Sequence, residues 1–156
     1  AGDSGVRTVF LRSGIVLSGT GGALGKMLLP FKMGAGGPMA GGKQWMSWIS
    51  LDDEIYAIHH LLMNSGSKGV YNLTAPNPSR QKGFAKTLGR VLGRPAFAPL
   101  PGFVVRILFG EMGVTLTLES QRVLPNRLLE EGFEFLHPEI EGALTDTLGA
   151  WRDLKI

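Results

Sequence analysis

The sequence contains no cysteine. Disulfide scaffolds, thiol catalysis and cysteine-ligated metals are therefore excluded, and the composition fits a reducing compartment. Charge is sparse as well: Asp, Glu, Lys and Arg make up 19%, against about 25% in average soluble domains. The 16 Lys and Arg exceed the 13 Asp and Glu, for a formal charge of +3. They are scattered singly, without the basic runs and interleaved aromatics of a nucleic-acid groove, so no nucleic-acid partner is expected. The longest apolar runs, such as Phe103-Val104-Val105 and Met27 to Phe31, fall far short of the ~20 residues of a membrane span. The expectation is a cytoplasmic protein without a membrane partner. An initiator methionine and a signal-peptide pattern are missing too: the chain starts Ala1-Gly2-Asp3-Ser4-Gly5, which reads as a piece of something longer.

What is abundant is glycine, 23 of 156 residues, about twice the usual share of roughly 7%. The glycines follow no three-residue period, which excludes collagen. Hydrophobic residues at 44% exclude a disordered chain. A chain of this length can bury roughly two thirds of its unfolded surface, enough for a proper core.

Val6 to Leu17 (VRTVFLRSGIVL) is rich in β-branched and aromatic residues and nearly continuous in hydrophobicity, as in a parallel strand covered on both faces. A glycine-rich stretch, Ser18 to Gly25, leads into an apolar helix from Ala23 to Phe31. A second, Gly34 to Gly42 (GAGGPMAGG), is a loop, because Gly and Pro at this density cannot hold an element together. Lys43 to Ile49 reads as a short strand. Ser50 then caps a helix: Asp52, Asp53 and Glu54 favour its positive end, and Ser50 with Asp53 makes a variant capping box. Leu51, Ile55, Ile58 and Leu62 are its expected buried stripe, and it fades near Asn64 to Gly66. Gly69 to Thr74 is a second strand. A helix over Ser79 to Leu92 buries Phe84, Leu88 and Val91 and stops at Gly93. Phe97 to Leu100 is extended, and Pro101 opens a helix through Phe109. Further helices are expected over Leu118 to Glu131 and over Pro138 to Leu154, the latter with Ile140, Leu144 and Leu148 inward. Strand–helix alternation argues an α/β first half and a mostly helical second half.

Few residues carry chemistry. Gly19 and Gly21 match two positions of G-x-G-x-x-G, but Leu24 takes the third and no acidic residue follows at the required distance, so the dinucleotide fingerprint is absent. His59, His60 and His137 lack the spacing of a helical metal site, and no metal is expected. Neither Tyr56 nor Tyr71 is followed by lysine four residues on. Arg12 interrupts the first strand and needs a partner. Two readings stay open for it: a buried carboxylate, with Asp53 as the candidate, or a ligand at the strand's carboxyl end. Lys43, Gln44 and Trp48 follow the long glycine loop, either as an exposed β-edge with Trp45 or Trp48 packed inward, or closing over a polar ligand.

Several stretches taken together resemble one family. They are Arg12-Ser13-Gly14-Ile15-Val16-Leu17, Gly21-Gly22-Ala23-Leu24, Leu28-Leu29-Pro30-Phe31 and Gly36-Gly37-Pro38. To these add Trp48-Ile49-Ser50-Leu51-Asp52-Asp53, Gly69 to Pro76 (GVYNLTAP) and Leu124-Pro125-Asn126-Arg127-Leu128-Leu129. The family is the NAD(P)-dependent epimerase-like group of extended short-chain dehydrogenases, also labelled nucleoside-diphosphate-sugar epimerases or cell-division inhibitors. The match runs from about Val6 to Leu148 and is similar to the C-terminal half only.

The resemblance implies the late part of a doubly wound, Rossmann-like α/β fold. Residues 1–94 would complete the dinucleotide-binding domain, and 95–156 would form a small, mainly helical family-specific domain. In that family the glycine fingerprint and a Tyr-x-x-x-Lys acid/base pair belong to the other half. NADP or NAD is the implied cofactor, with Arg12, Gly14, Ile15 and Val16 beside its nicotinamide end. The segment from Gly34 to Trp48 resembles the cover over the substrate in sugar-nucleotide epimerases, which makes Lys43, Gln44 and Trp48 substrate-binding candidates; Arg12, Ser50 and Asp53 keep the structural roles read above from the strand charge and the helix cap. The implied activity is hydride transfer at a carbinol of a small molecule of the nucleotide-sugar kind. The chain alone is expected to be inactive and to self-associate through its unpaired first strand. The alternative from another class is a non-catalytic nucleotide- or protein-binding module on the same fold.

Overall fold

The computed structural model describes residues 5–99, 106–107, 110 and 120–153. The helix expected from Pro101 to Phe109 lies largely outside the described residues.

Glycine at position 14 decides how the first strand is built. The expected single run splits into β1 (Val9–Ser13) and β2 (Ile15–Leu17). β1 pairs in parallel with β5 (Gly69–Leu73), and β2 pairs in parallel with β4 (Trp48–Ser50). Gly14 is the point of transfer: its N–H bonds to Leu73 O at 2.9 Å, while the next N–H, of Ile15, bonds to Ser47 O at 2.8 Å. A Cβ here would sit 2.6 Å from Ser47 O and 2.9 Å from Thr74 Cγ2. Gly14→Ala is therefore expected to cost about 2 kcal/mol through overpacking against backbone. Urea unfolding measures it, and a loss of only a few tenths would mean that the strand junction yields.

The Lys43 to Ile49 segment likewise divides, into β3 (Trp45–Met46) and β4, with β3 antiparallel to β6 (Ser79–Arg80). Helices α1 (Gly22–Lys32), α2 (Leu51–Met63) and α3 (Gln81–Leu92) follow the order expected, joined by a 3-10 turn at Ala40–Gly42. The helix expected over Leu118 to Glu131 is shorter. Residues 120–125 are not helical, and α4 spans Asn126–Glu130. Pro125 explains the start, since the residue before proline is pushed out of helical conformation. The last helix, α5, spans Ile140–Asp153.

Because successive strand residues point to opposite faces, the strands feed two cores. Leu17 and Trp48 face α1, α3 and α5, packing with Leu24, Phe31, Phe84, Leu88 and Leu144. Val16 and Ile49 face α2 and α4, packing with Ala57, Leu61, Tyr71, Leu73 and Leu128. Each fully buried large side chain stabilises by about 1.5–3 kcal/mol. Phe84, Leu88, Leu144 and Leu148 are buried as their helical spacing predicted, with Val91 and Ile140 packed against them, and Gly93 closes α3 in the left-handed region at φ 63°.

α2 is rotated from the expected register. Leu51, Ile55 and Leu62 are exposed, and Asp53, Glu54, Ala57 and Leu61 are buried instead, with Ile58 partly so. Both sets have helical spacing, so periodicity alone cannot choose between them. Polar bonds do. Ser50 Oγ accepts from Asp53 N–H at 3.0 Å, as a cap should, and donates back to Asp53 Oδ2 at 2.7 Å. Asp53 also accepts the backbone N–H groups of Leu136 at 2.7 Å and His137 at 3.1 Å.

The other end of α2 is tied to the same segment. Glu131 accepts from Ser67 Oγ at 2.6 Å, Asn64 Nδ2 at 3.2 Å and the Tyr71 hydroxyl. Arg127 donates to Val70 O and stacks 4.0 Å from the centre of the Tyr71 ring. Burial alone would raise the Glu131 carboxyl. The Ser67 and Tyr71 bonds and the charges of Arg127 and His60 outweigh it and hold the group below its ordinary range.

Candidate functional site

The parallel strands end at a cavity of about 630 Å³, within the size range of small-molecule sites. Its floor is the strand junction: Arg12 and Ser13 from the end of β1, Gly14, then Ile15 and Val16 of β2, with Asn72 and Thr74 from the end of β5. Gly22 and Ala23 come from the start of α1, Trp45, Met46 and Ser47 from around β3, and Gln121 and Val123 from the extended segment before α4. Crevices at the carboxyl ends of parallel strands, where neighbouring strands part, are where open α/β sheets take ligands.

Ser47 builds the far wall. Its Oγ donates to Gln121 O at 2.7 Å and accepts from Val123 N–H at 2.8 Å. Trp45 N–H to Ser120 Oγ at 3.1 Å and Thr74 Oγ1 to Val123 O at 3.3 Å fasten the same segment. No carboxylate lines the cavity among the described residues. Around Trp45 the charge is positive: the Arg80 and Arg122 guanidiniums lie 4.0 and 5.0 Å from its ring centre.

Arg12, Gly14, Ile15 and Val16 thus converge on one cavity. Lys43, Gln44 and Trp48 do not line it. Trp48 is fully buried and its indole N–H donates to Asn77 O at 3.1 Å, Gln44 is buried with Nε2 on Met39 O, and Lys43 points to solvent. The aromatic ring at the cavity is Trp45. Strand alternation allowed either tryptophan inward, and the demand of the core beneath α1 and α3 took Trp48. The pairing of Arg12 with Asp53 is overturned: Asp53 is fully buried and spends both oxygens on Ser50, Leu136 and His137. Arg12 is exposed at the cavity and makes no ion pair among the described residues. The sequence reading named Trp45 only as a ring that could pack inward, and assigned no site role to Ser13, Ser47, Asn72, Thr74, Gln121 or Val123. Residues 45 and 47 lie on one side of a strand by period two, a signal that was available; the contribution of 121 and 123 comes from a distant segment and had none.

Asp52, His137 and Asp146 each bring one ligand-type atom to within 4.8 Å of the others. Both carboxylates are exposed, and the 3.3 Å contact of His137 Nε2 with Asp146 links α5 to the preceding loop. We assign no metal there.

The sequence model of a family described as "Domain of unknown function (DUF1731)" matches residues 100–147. The chain is 48% identical over 139 residues to the chloroplastic epimerase family protein SDR39U1 homolog of Arabidopsis thaliana, covering 89% of this chain and 40% of that protein. It is 44% identical over 145 residues to human epimerase family protein SDR39U1, covering 93% and 49%. The crystal structure of that human protein, isoform 2 with NADPH, superposes with a TM-score of 0.86 over 92% of this chain and 49% of that chain, at 42% identity. A nucleoside-diphosphate sugar epimerase from Corynebacterium glutamicum superposes at 0.72 with 29% identity, over 96% of this chain and 28% of that one. No helix among the described residues is long and apolar enough to cross a membrane. With a Rossmann-like α/β fold and this level of identity, the chain belongs to the epimerase family proteins and spans about half the length of the curated relatives it matches.

Proposed function

We propose that this chain forms the nicotinamide and substrate side of an NADP(H)-dependent epimerase or oxidoreductase. The reaction is hydride transfer at a carbinol of a small molecule of the nucleotide-sugar kind. The observation that carries this reading is the convergence of Arg12, Gly14, Ile15 and Val16 on one cavity at the carboxyl ends of β1 and β5. The donor set suits the cofactor. Gly14, Ile15, Val16 and Ala23 offer a low, apolar floor for a flat ring, and Arg12 offers a cation with no ion pair among the described residues. NADPH bound to the human relative supports the nicotinamide assignment. The cations at Arg12, Arg80 and Arg122, with no carboxylate in the lining among the described residues, favour an anionic substrate. A nicotinamide cofactor, when bound, accepts or returns the hydride; the chain's part is to hold the reacting end against the strand junction. A cytoplasmic location and inactivity of the chain by itself belong to the same reading.

The test is a titration with NADPH of a form of the protein spanning the full length of its relatives. Trp45 lines the cavity and reports by fluorescence, while Trp48, sealed in the core, should not respond. A saturable change at micromolar cofactor is expected. No saturable change at millimolar NADPH removes the reading, and saturable binding with no turnover on any carbonyl favours the non-catalytic nucleotide-binding module.

A further inference from the structure

Arg12 is the one ionisable side chain in the cavity lining among the described residues. Strand alternation fixes where it points. Its neighbours Leu11 and Ser13 turn toward α2: Leu11 lines the groove with Ile58, Leu61 and Leu62, and the Ser13 hydroxyl donates to Glu54 Oε1 at 2.5 Å. Arg12 therefore lies on the opposite face, that of α1, whose first residues, Gly22 and Ala23, also line the cavity. Asn72 sits beside it in register and lines the cavity too. This neighbour is neutral, and its amide donates to Leu124 O at 3.3 Å.

No anion answers this guanidinium. It has no ion pair and no side-chain hydrogen bond among the described residues. Acids are scarce in the surrounding sequence: residues 4–51 contain five Lys or Arg and no Asp or Glu, and residues 55–110 contain seven and none. The three acids between them, Asp52, Asp53 and Glu54, belong to α2 on the other face, where Asp53 and Glu54 are buried. A nicotinamide cofactor does not supply the anion at this end either. Its ring is cationic when oxidised and neutral when reduced, and its phosphates go with the glycine fingerprint of the other half. In the reading above the ring rests on Gly14 and Ile15, and Gly14 is two residues, about 7 Å, along the strand from Arg12. Two positive groups this close at the reacting end are stabilised by an anion between them.

We propose that Arg12 is the specificity-determining residue for a carboxylate on the substrate. The molecule oxidised or reduced is then a hydroxy acid or its oxo form, and a uronic acid where it is sugar-like. This assignment rests on the oxidoreductase reading above. The planar fork of a guanidinium matches a carboxylate with two parallel N–H···O bonds. The short step from Arg12 to Gly14 sets that carboxylate within a few bonds of the reacting carbinol. A phosphate dianion calls for more than one cation, and the paired guanidiniums, Arg80 and Arg122, gather at Trp45 instead. The carboxylate makes and breaks no bond in the hydride transfer, so Arg12 holds the hydroxy acid and the oxo acid alike. Proton exchange stays with the acid/base pair that the family resemblance assigns to the other half.

The experiment uses the form spanning the full length of the relatives, with NADPH binding measured first. Ligand-observed NMR titrations then compare D-glucuronate, D-glucose and glucose-6-phosphate, in the presence of NADP+ and again of NADPH. Glucuronate should bind about 30-fold more tightly than glucose, and more tightly in the NADP+ complex than in the NADPH complex. Glucose-6-phosphate should bind no better than glucuronate. Arg12→Gln should bring glucuronate down to the affinity of glucose, and Arg12→Lys, which keeps the charge without the fork, should fall between. Equal wild-type affinities for glucuronate and glucose, or no binding of either at high millimolar concentration, overturn the proposal and leave the cofactor reading standing. A preference for glucose-6-phosphate overturns the carboxylate in favour of phosphate. A glucuronate preference that survives Arg12→Gln while the melting temperature falls assigns Arg12 to an ion pair with the other half, and overturns its role in specificity. Failure to bind NADPH removes the oxidoreductase reading first, and the proposal with it.

Discussion

Replacing Asp53 by alanine should lower stability by about 4 kcal/mol, because one carboxylate answers three donors in a site closed to water. The side chain is fully buried and takes the Ser50 hydroxyl and the Leu136 and His137 N–H groups. Alanine strands both backbone donors and weakens the cap of α2 at once. Set against a total of roughly 5–15 kcal/mol for a domain, that is a large share, and the melting temperature should fall by roughly 10 °C. Asp53→Asn should fall between the two, since Oδ1 still accepts while its NH2 faces a donor. Thermal unfolding followed by circular dichroism measures both. A melting temperature for Asp53→Ala within a degree or two of wild type would show that the 136–137 segment finds other partners.

The isolated chain is expected to associate with itself. Among the described residues β1 pairs only with β5, so its outer edge presents unpaired N–H and C=O groups. Each of its faces carries an exposed apolar side chain: Phe10 is 60% and Leu11 42% exposed. Beside the edge runs a groove of about 190 Å³ formed by Val9, Leu11, Ile58, Leu61, Leu62 and Arg7. An exposed edge with apolar flanks is a template for strand pairing. Light scattering should give at least twice the 16.8 kDa of one chain, rising with concentration. Leu11→Lys places a charge on that edge and should return the monomer. A clean wild-type monomer at high concentration rules the pairing out.

How far the residues announced all this depended on distance along the chain. The Ser50–Asp53 cap spans three positions and was readable at once. The second use of Asp53 joins residues 83 and 84 positions apart, and no local pattern signals it, which is why Asp53 was available on paper as a partner for Arg12. The helices α3 and α5 showed their buried faces because each has one apolar stripe. α2 has two, and only the bonds of Asp53 and Glu54 select the right one. Gly14, Ile15 and Val16 were found through family likeness and Arg12 through the charge it puts into an apolar strand, and the geometry places them together. The cavity's opposite wall required the fold, since Ser47 meets Gln121 and Val123 across more than 70 residues. The choice of Trp45 over Trp48 came from core demand, which alternation cannot express.

The two bonds that end α2 also bear on how the molecule can change over time. Asp53 at one end and Glu131 at the other buckle residues 127–137 along the helix like a belt. Deleting that belt, or grafting it from a distant relative, would unfasten a helix that carries Glu54 and shields β1. Residues 127–137 are thus no detachable appendage of the strands: their bonds hold in place the helix that packs on the strand junction.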